Sequence, residues 1–183
     1  MSGSLVVGIN STAKYYAPRL IADFASLFPK VDITSSVGNR VETIDALKRL
    51  KIDVAIMGGP PNWLNPASEP FGEHPMIMIG PADHPLVGQD GIEKSAIAEE
   101  RFLMREEGSS ARVVFEEFFH GPVKRDTHFS IKIGSNETVK TGRDGGLGLA
   151  VISAHAVVFD VETGRLAVLD VKGLPIMRTW FVA

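Results

Sequence analysis

A repeated order of apolar run, polar turn and helix-like pattern is the feature that most constrains how this chain can fold. The order recurs four times, and each turn carries hydroxyls, amides or glycine. The four turns lie at 10–13, 38–40, 107–110 and 135–138. Strands that alternate with helices favour a parallel sheet with right-handed crossovers, so the sequence predicts an α/β fold.

The same turns also suggest where a ligand binds. The start of a helix presents backbone N–H groups without partners and the positive end of the helix dipole, which together attract anions. The basic residues in or beside the turns are Lys14, Arg40, Arg105, Arg112 and Lys140. We expect these N–H groups and cations to be unpaired until an anion binds. Ordinary helix capping is the alternative, because Ser, Thr and Asn are the preferred N-cap residues.

The apolar pattern divides the chain into two series of strands and helices. Residues 1–60 follow the order β-α-β-α-β, and a turn rich in proline at 80–85 precedes the second series. The last strands need not continue that series and can return to the first. We therefore predict one lobe from 1–80 plus 156–183 and a second from 81–155. Ligands of open α/β sheets bind beyond the carboxyl ends of the strands, where all four turns fall.

Composition narrows the class of function. The net charge of −3 argues against nucleic-acid binding by this chain alone, because that needs a basic face. The absence of cysteine excludes disulfides, thiol catalysis and zinc–thiolate sites. The histidines lack metal-binding spacing and the serines lack a GxSxG motif, so we expect neither an enzyme nor a metal site. The apolar runs are too short to cross a membrane, and no secretion signal is visible.

Several segments along the whole chain resemble the LysR-type transcriptional regulators. They are 38–43 (GNRVET), 53–61 (DVAIMGGPP), 83–86 (DHPL), 105–112 (REEGSSAR), 135–140 (SNETVK), 146–153 (GLGLAVIS) and 173–180 (GLPIMRTW). Within that family, the segment 11–16 (STAKYY) and the GNR and GGPP stretches are most similar to regulators of Calvin-cycle (RuBisCO) operons.

The resemblance implies a type 2 periplasmic-binding-protein fold, in which two Rossmann-like lobes are joined by two crossing strands. It also implies an upstream winged helix-turn-helix and linker helix, so DNA would be reached only through an N-terminal domain that this sequence lacks. The expected function is to sense a small anionic, phosphorylated metabolite between the lobes, in the cytoplasm and without a cofactor. Calvin-cycle regulators of the family respond to metabolites such as ribulose bisphosphate, phosphoenolpyruvate or NADPH.

The resemblance and the turns together nominate the ligand-binding residues. By resemblance alone, the effector lies near Ser11, Thr12, the 38–40 loop, Arg105 and Thr138. The full predicted set is Ser11, Thr12, Lys14, Gly38, Asn39, Arg40, Gly58, Arg105, Ser109, Asn136 and Thr138.

The resemblance further implies a homodimer, and a tetramer in the full-length protein. The helix predicted at 13–27 would pack against the helix at 113–119 of a second copy. Phe118 and Phe119 suit such a contact, because they give a short helix more aromatic surface than one core requires. The same spacing is equally consistent with two core phenylalanines.

Two segments depart from the family pattern, and another class of protein stays open. Relatives have Gly-Thr where this chain has Ser110 and Ala111, which removes a hydroxyl from a helix start. Three glycines and two charges at 142–146 replace an apolar helix, and glycine costs about 1 kcal/mol there relative to alanine. We expect that helix to end early. The open alternative is an extracytoplasmic solute-binding protein for a small anion, which would have the same fold.

Overall fold

The computed structural model describes residues 2–61, 68–120, 130–141 and 148–183. The packing divides the chain into two compact units. Unit 1 is Met1–His74 with Arg178–Ala183, and unit 2 is Pro75–Met177. The altered segment at 142–146 lies outside the described residues, so the expected early end of its helix stays a prediction.

Strands and helices follow one another in the predicted α/β order. They are β1 (Gly3–Asn10), α1 (Ala17–Leu27), β2 (Val31–Gly38), α2 (Arg40–Lys48), β3 (Val54–Gly58), β4 (Glu69–Pro81), β5 (Phe102–Arg105), α3 (Ser110–Phe118), β6 (Ser130–Ile133), α4 (Asn136–Thr141), β7 (Ala150–Ser153), α5 (Val158–Glu162), β8 (Leu166–Leu169) and β9 (Ile176–Val182). The helix predicted at 13–27 is divided in two, because a 3₁₀ helix at Ala13–Tyr15 precedes α1. Pro18 is tolerated in the first turn of α1, where no N–H is needed.

In unit 1, β1 lies between β2 and β3, and both neighbours are parallel to it. The helices α1 and α2 connect these strands, as the predicted crossovers require. The end of β9 pairs antiparallel with β3, where Trp180 lies opposite Gly58. Because β1, β2 and β3 are parallel, the turns that follow them lie along one edge of the sheet.

In unit 2, β4 pairs antiparallel with both β7 and β8, while β5 and β6 form a parallel pair. A parallel bridge joins Phe102 at the start of β5 to Leu149, which leads into β7. The carboxyl ends of β5, β6 and β7 therefore face the same edge of unit 2, and the side chains that follow these strands collect there.

Each unit has its own apolar core. In unit 1, Ala13 and Ala17 bring the start of α1 against Val7, Ile9 and Trp180. A second cluster in this unit packs Ile44 of α2 on Ile52, Ala55 and Met57. In unit 2, the core combines Met76, Met78, Phe102, Val114, Phe118, Phe119, Leu149 and Val171. No helix in the described part of the chain is long and apolar enough to cross a membrane.

Both boundaries between the units differ from the predicted ones. The first falls after His74 rather than after residue 80, and the second falls after Met177 rather than after residue 155. The cause of the second difference is β8, which pairs with residues 78–81 of β4 and so holds 156–177 in unit 2. An apolar strand pattern does not identify the strand with which it pairs, so the sequence could not decide this point.

The two phenylalanines at the end of α3 belong to the core of unit 2. Phe118 and Phe119 are both buried, and their rings meet edge to face with centroids 4.9 Å apart. Phe119 also meets Phe102, at 5.0 Å. The expectation that these rings form an exposed dimer contact is therefore wrong, and the packing alternative is correct.

Candidate functional site

The turn after β1 holds a buried asparagine at the edge of the unit 1 sheet. The Ser11 N–H donates to the Gly38 carbonyl at 2.6 Å, which joins this turn to the end of β2. Inside the turn, the Asn10 Oδ1 accepts from the Thr12 N–H at 3.1 Å. Asn10 is only 2% exposed, and its Nδ2 has no hydrogen-bond partner among the described residues. A buried donor without an acceptor costs about 1–3 kcal/mol, so this position favours a ligand oxygen.

Asn39 caps α2 at the turn after β2. Its Oδ1 accepts from the Glu42 N–H at 3.0 Å, while the Glu42 carboxylate accepts from the Asn39 N–H at 2.7 Å. This reciprocal pair is a capping box, and it brings a negative charge to the helix start. The capping alternative therefore describes this turn, and the residue that offers a donor in unit 1 is Asn10.

Arg40 links the start of α2 to the end of β3. Its NH2 group donates to the Gly59 carbonyl at 3.1 Å. Burial lowers the pKa of Arg40, and the neighbouring positive charge of Arg178 lowers it further. A guanidinium still stays protonated at neutral pH, so two like charges lie near each other at this edge. Arg40 is therefore placed where an anion would reduce the repulsion.

Gly58 serves packing at the end of β3. A Cβ at this position would lie 3.0 Å from the Nδ1 atom of His74. The His74 ring stacks on the indole of Trp180 with centroids 3.7 Å apart, and both side chains are buried. Gly58 is needed because the ring pair occupies the space that a side chain would fill.

Arg105 organises the ends of β5 and β6 in unit 2. The guanidinium is 3% exposed and holds Glu106 through two bonds, from Nε at 2.7 Å and from NH2 at 2.9 Å. Its NH1 group donates to the Oδ1 of Asn136 at the start of α4. The Glu106 N–H donates to the Ile133 carbonyl at 3.1 Å, which fixes the backbone of Glu106 beside the end of β6. Arg105 is therefore a buried hub for a carboxylate and an amide.

Asn136 has the same arrangement in unit 2 as Asn10 in unit 1. Its Oδ1 is held by Arg105, and its Nδ2 has no partner within the residues that the structure describes. The side chain is 2% exposed. The hydroxyl of Ser153, at the carboxyl end of β7, is also buried and also lacks a partner there. The unmatched donors of unit 2 thus include Asn136, at the start of α4, and Ser153, at the end of β7.

The other hydroxyl residues of the unit 2 turns cap helices. The Ser109 Oγ accepts from the Arg112 N–H at 3.3 Å, at the start of α3. The Ser135 Oγ accepts from the Thr138 N–H at 3.0 Å, and the two hydroxyl oxygens lie 2.9 Å apart. Ser109 and Thr138 of the predicted set are therefore already engaged in local hydrogen bonds.

The expectation of unpaired cations is wrong. Arg105 binds Glu106, the Arg112 Nε lies 2.9 Å from the Glu116 carboxylate, and the Lys140 Nζ lies 3.1 Å from the Asp160 carboxylate. Lys14 lies over the Tyr15 ring, with Nζ 5.3 Å from its centroid. Among the described residues, the buried donors without a partner include the amides of Asn10 and Asn136, the hydroxyls of Ser110 and Ser153, and one nitrogen of the otherwise paired Arg112. Sequence reasoning missed Asn10 and Ser153, although an asparagine directly after an apolar strand was a signal for the first.

The described residues contain no group of three or more His, Asp or Glu side chains that could hold a metal ion. The arrangement at both strand edges is instead one of hydrogen-bond donors. Such a set can bind oxygen atoms of a ligand, and it has no nucleophile paired with a base.

Two α/β units with buried, unmatched donors beside their strand ends have features expected of a ligand-binding domain. The chain belongs to the LysR substrate binding domain family, whose model matches residues 1–183. It is therefore the effector-binding domain of a LysR-type regulator, as the sequence motifs predicted, and the predicted fold class is confirmed.

Curated relatives are transcriptional regulators. The HTH-type transcriptional regulator CbbR of Rhizobium meliloti is 44% identical over 180 residues, which cover 98% of this chain and 58% of the relative. The RuBisCO operon transcriptional regulator of Acidithiobacillus ferrooxidans is 38% identical over 98% of this chain and 58% of its own length. This chain thus spans less than two thirds of either relative.

A solved structure with the same fold contains a ligand. It is the CcmR regulatory domain of Synechocystis PCC6803 in complex with 2-PG, with a TM-score of 0.88 and 32% sequence identity. The superposition covers 99% of this chain and 86% of that one.

Arg105→Ala should lower the free energy of unfolding by about 2–4 kcal/mol, because it leaves Glu106 and the buried Asn136 Oδ1 without their donor. Arg49→Ala is the matched control, since the Arg49–Asp45 pair is exposed and should be worth no more than about 0.5 kcal/mol. Urea unfolding followed by circular dichroism measures both. Equal, small losses would show that Arg105 is not a structural hub.

Proposed function

We propose that this chain senses a small phosphorylated metabolite and belongs to a regulator of carbon-fixation genes. The observation that carries the proposal is the pair of buried asparagines, Asn10 and Asn136, one at a strand edge of each unit. In both, Oδ1 is held by the protein and Nδ2 has no acceptor in the described part of the chain. A ligand oxygen at either position would satisfy the donor there.

The charge around these donors favours an anion. Arg40 and Arg178 are close enough for their positive charges to oppose each other in unit 1. In unit 2, Arg105 donates a hydrogen bond to the Oδ1 of Asn136 and so polarises its amide group. A phosphate group carries about −1.5 to −2 charge and several acceptor oxygens, so it suits both features better than a neutral ligand does.

The relatives support the same class of ligand and the same regulatory role. The CcmR domain binds 2-PG (2-phosphoglycolate), and the curated relatives include a RuBisCO operon regulator. We propose Asn10, Thr12, Arg40, Arg105, Asn136 and Ser153 as the residues on which binding depends. The HTH-type relatives favour a cytoplasmic regulator that reaches DNA through another domain, over the extracytoplasmic solute-binding alternative.

Asn136→Asp should strongly lower the affinity for the ligand without unfolding the protein. The variant keeps the acceptor for Arg105 but replaces the Nδ2 donor by a negative oxygen that repels an anion. We expect affinity to fall at least about 30-fold, or ~2 kcal/mol, and Asn10→Asp to act in the same direction. Calorimetry with 2-PG, phosphoenolpyruvate and sugar phosphates, beside neutral sugars, measures this. At about 100 times Kd, the ligand should add roughly 2.7 kcal/mol to the stability of the wild type.

Gln89→Glu is the matched control for this experiment, because it makes the same amide-to-carboxylate change at an exposed turn of unit 2. It should leave both affinity and melting temperature nearly unchanged. Stabilisation of the wild type by neutral sugars and by no phosphorylated compound would contradict the proposed ligand class.

We also propose a homodimer, with a tetramer in the full-length regulator, in which α1 packs on α3 of a second copy. Of the residues on α1, only Ala17 is buried. Leu20 and Ile21 pack against the core of unit 1 but stay partly exposed, as Phe24 does, and Leu27 is 74% exposed. On α3, Val113 is the exposed apolar residue that could meet this surface. An apolar helix face left open in the monomer supports a partner on it.

Leu27→Glu should weaken dimer formation at least about tenfold, because it places a charge in the proposed apolar contact. Leu50→Glu is the control, since Leu50 is 90% exposed and lies after α2, away from the proposed contact. Sedimentation equilibrium at tens of micromolar protein measures both. A wild type that is monomeric under these conditions would rule out the dimer for this chain.

A further inference from the structure

The carboxylate of Glu106 pairs with the guanidinium of Arg105, which a ligand anion would otherwise bind. Two bonds, at 2.7 Å and 2.9 Å, join it to Nε and NH2 of Arg105. Adjacent residues of a regular strand point to opposite faces, so this pairing depends on β5 ending at Arg105. The Glu106 N–H donates to the Ile133 carbonyl, which fixes the backbone from which this carboxylate extends.

A bidentate carboxylate on arginine is the arrangement that a carboxylate ligand would itself make. Glu106 therefore supplies within the chain the same two oxygens and the same single charge. Because it is tethered to the neighbouring residue, its local concentration far exceeds that of a dissolved competitor. A simple carboxylate therefore gains little by replacing it.

A phosphate dianion differs from Glu106 in charge and in the number of its acceptor oxygens. It can accept from Arg105 and at the same time from the unmatched Nδ2 of Asn136, which Glu106 leaves without a partner. The exchange is thus more favourable for a phosphate than for a carboxylate.

We propose that Glu106 competes for Arg105 and so sets an affinity threshold, which a phosphorylated ligand can pass and a simple carboxylate cannot. This inference rests on the proposed function, because it assumes that anions bind at the end of β5. It adds that the affinity for anions is limited by a resident carboxylate and is not set by the cations alone. Glu106 acts by opposing binding, so its neutralisation should strengthen binding.

Glu106→Gln tests the inference with a matched pair of ligands, glycolate and 2-phosphoglycolate, titrated by calorimetry. We expect the affinity for glycolate to rise about tenfold, which corresponds to the loss of one charge-assisted competitor. The affinity for 2-phosphoglycolate should rise by a similar factor, because both ligands displace the same competitor. Glu107→Gln makes the same change of charge at the exposed neighbouring residue, and it should alter either affinity less than about twofold.

Glu106→Asp is the second variant, which keeps the charge but shortens its reach, and it should lie between the wild type and Glu106→Gln. A melting curve of each variant verifies that it is folded. Affinities that fall, or stay equal to those of Glu107→Gln, would overturn the competition while leaving the proposed function intact. If neither the wild type nor any folded variant binds either compound, the anion site at Arg105 is itself contradicted.

Discussion

The buried guanidinium of Arg105 determines how the edge of unit 2 is arranged. A buried charge is tolerated only when it is paired and hydrogen-bonded, and Arg105 meets this condition with the Glu106 carboxylate and the Asn136 carbonyl oxygen. The bond from Arg105 decides which atom of the Asn136 amide has a partner and which has none. The donor Nδ2 is the one left over, so the requirement for a paired charge also creates the unmatched donor of the site.

Unit 1 reaches a similar arrangement with a different partner. Asn10 has its Oδ1 held by the Thr12 N–H, and the buried Nδ2 is again the donor left over. Asn10 ends β1, and Asn136 follows β6 at the start of α4, so both lie beside the carboxyl end of a parallel strand, the edge at which α/β proteins bind ligands. A buried amide with an unpaired Nδ2 lowers the stability of the domain. An effector that pairs with this donor would therefore stabilise the domain.

The sequence predicted the α/β order, the family and the four polar turns, because period and turn chemistry are local properties. It could not predict the pairing of β8 with β4, which moved the boundary of unit 2, or the burial of Phe118 and Phe119. It also did not distinguish capping residues from ligand-binding ones. Asn39 and Ser109 have the residue types of an anion site but cap helices, since the partner of a polar atom depends on packing between distant segments.

We propose that the side-chain amides of Asn10 and Asn136 are the groups that bind the effector. Nitrogen-15 NMR can follow the side-chain NH2 resonances of Asn10, Asn39 and Asn136, assigned with single Asn→Asp variants, during titration with 2-phosphoglycolate. The account predicts that the resonances of Asn10 and Asn136 move together and saturate at the Kd found by calorimetry, while that of the capping residue Asn39 moves little. Saturable binding that leaves both Asn10 and Asn136 unmoved would contradict it.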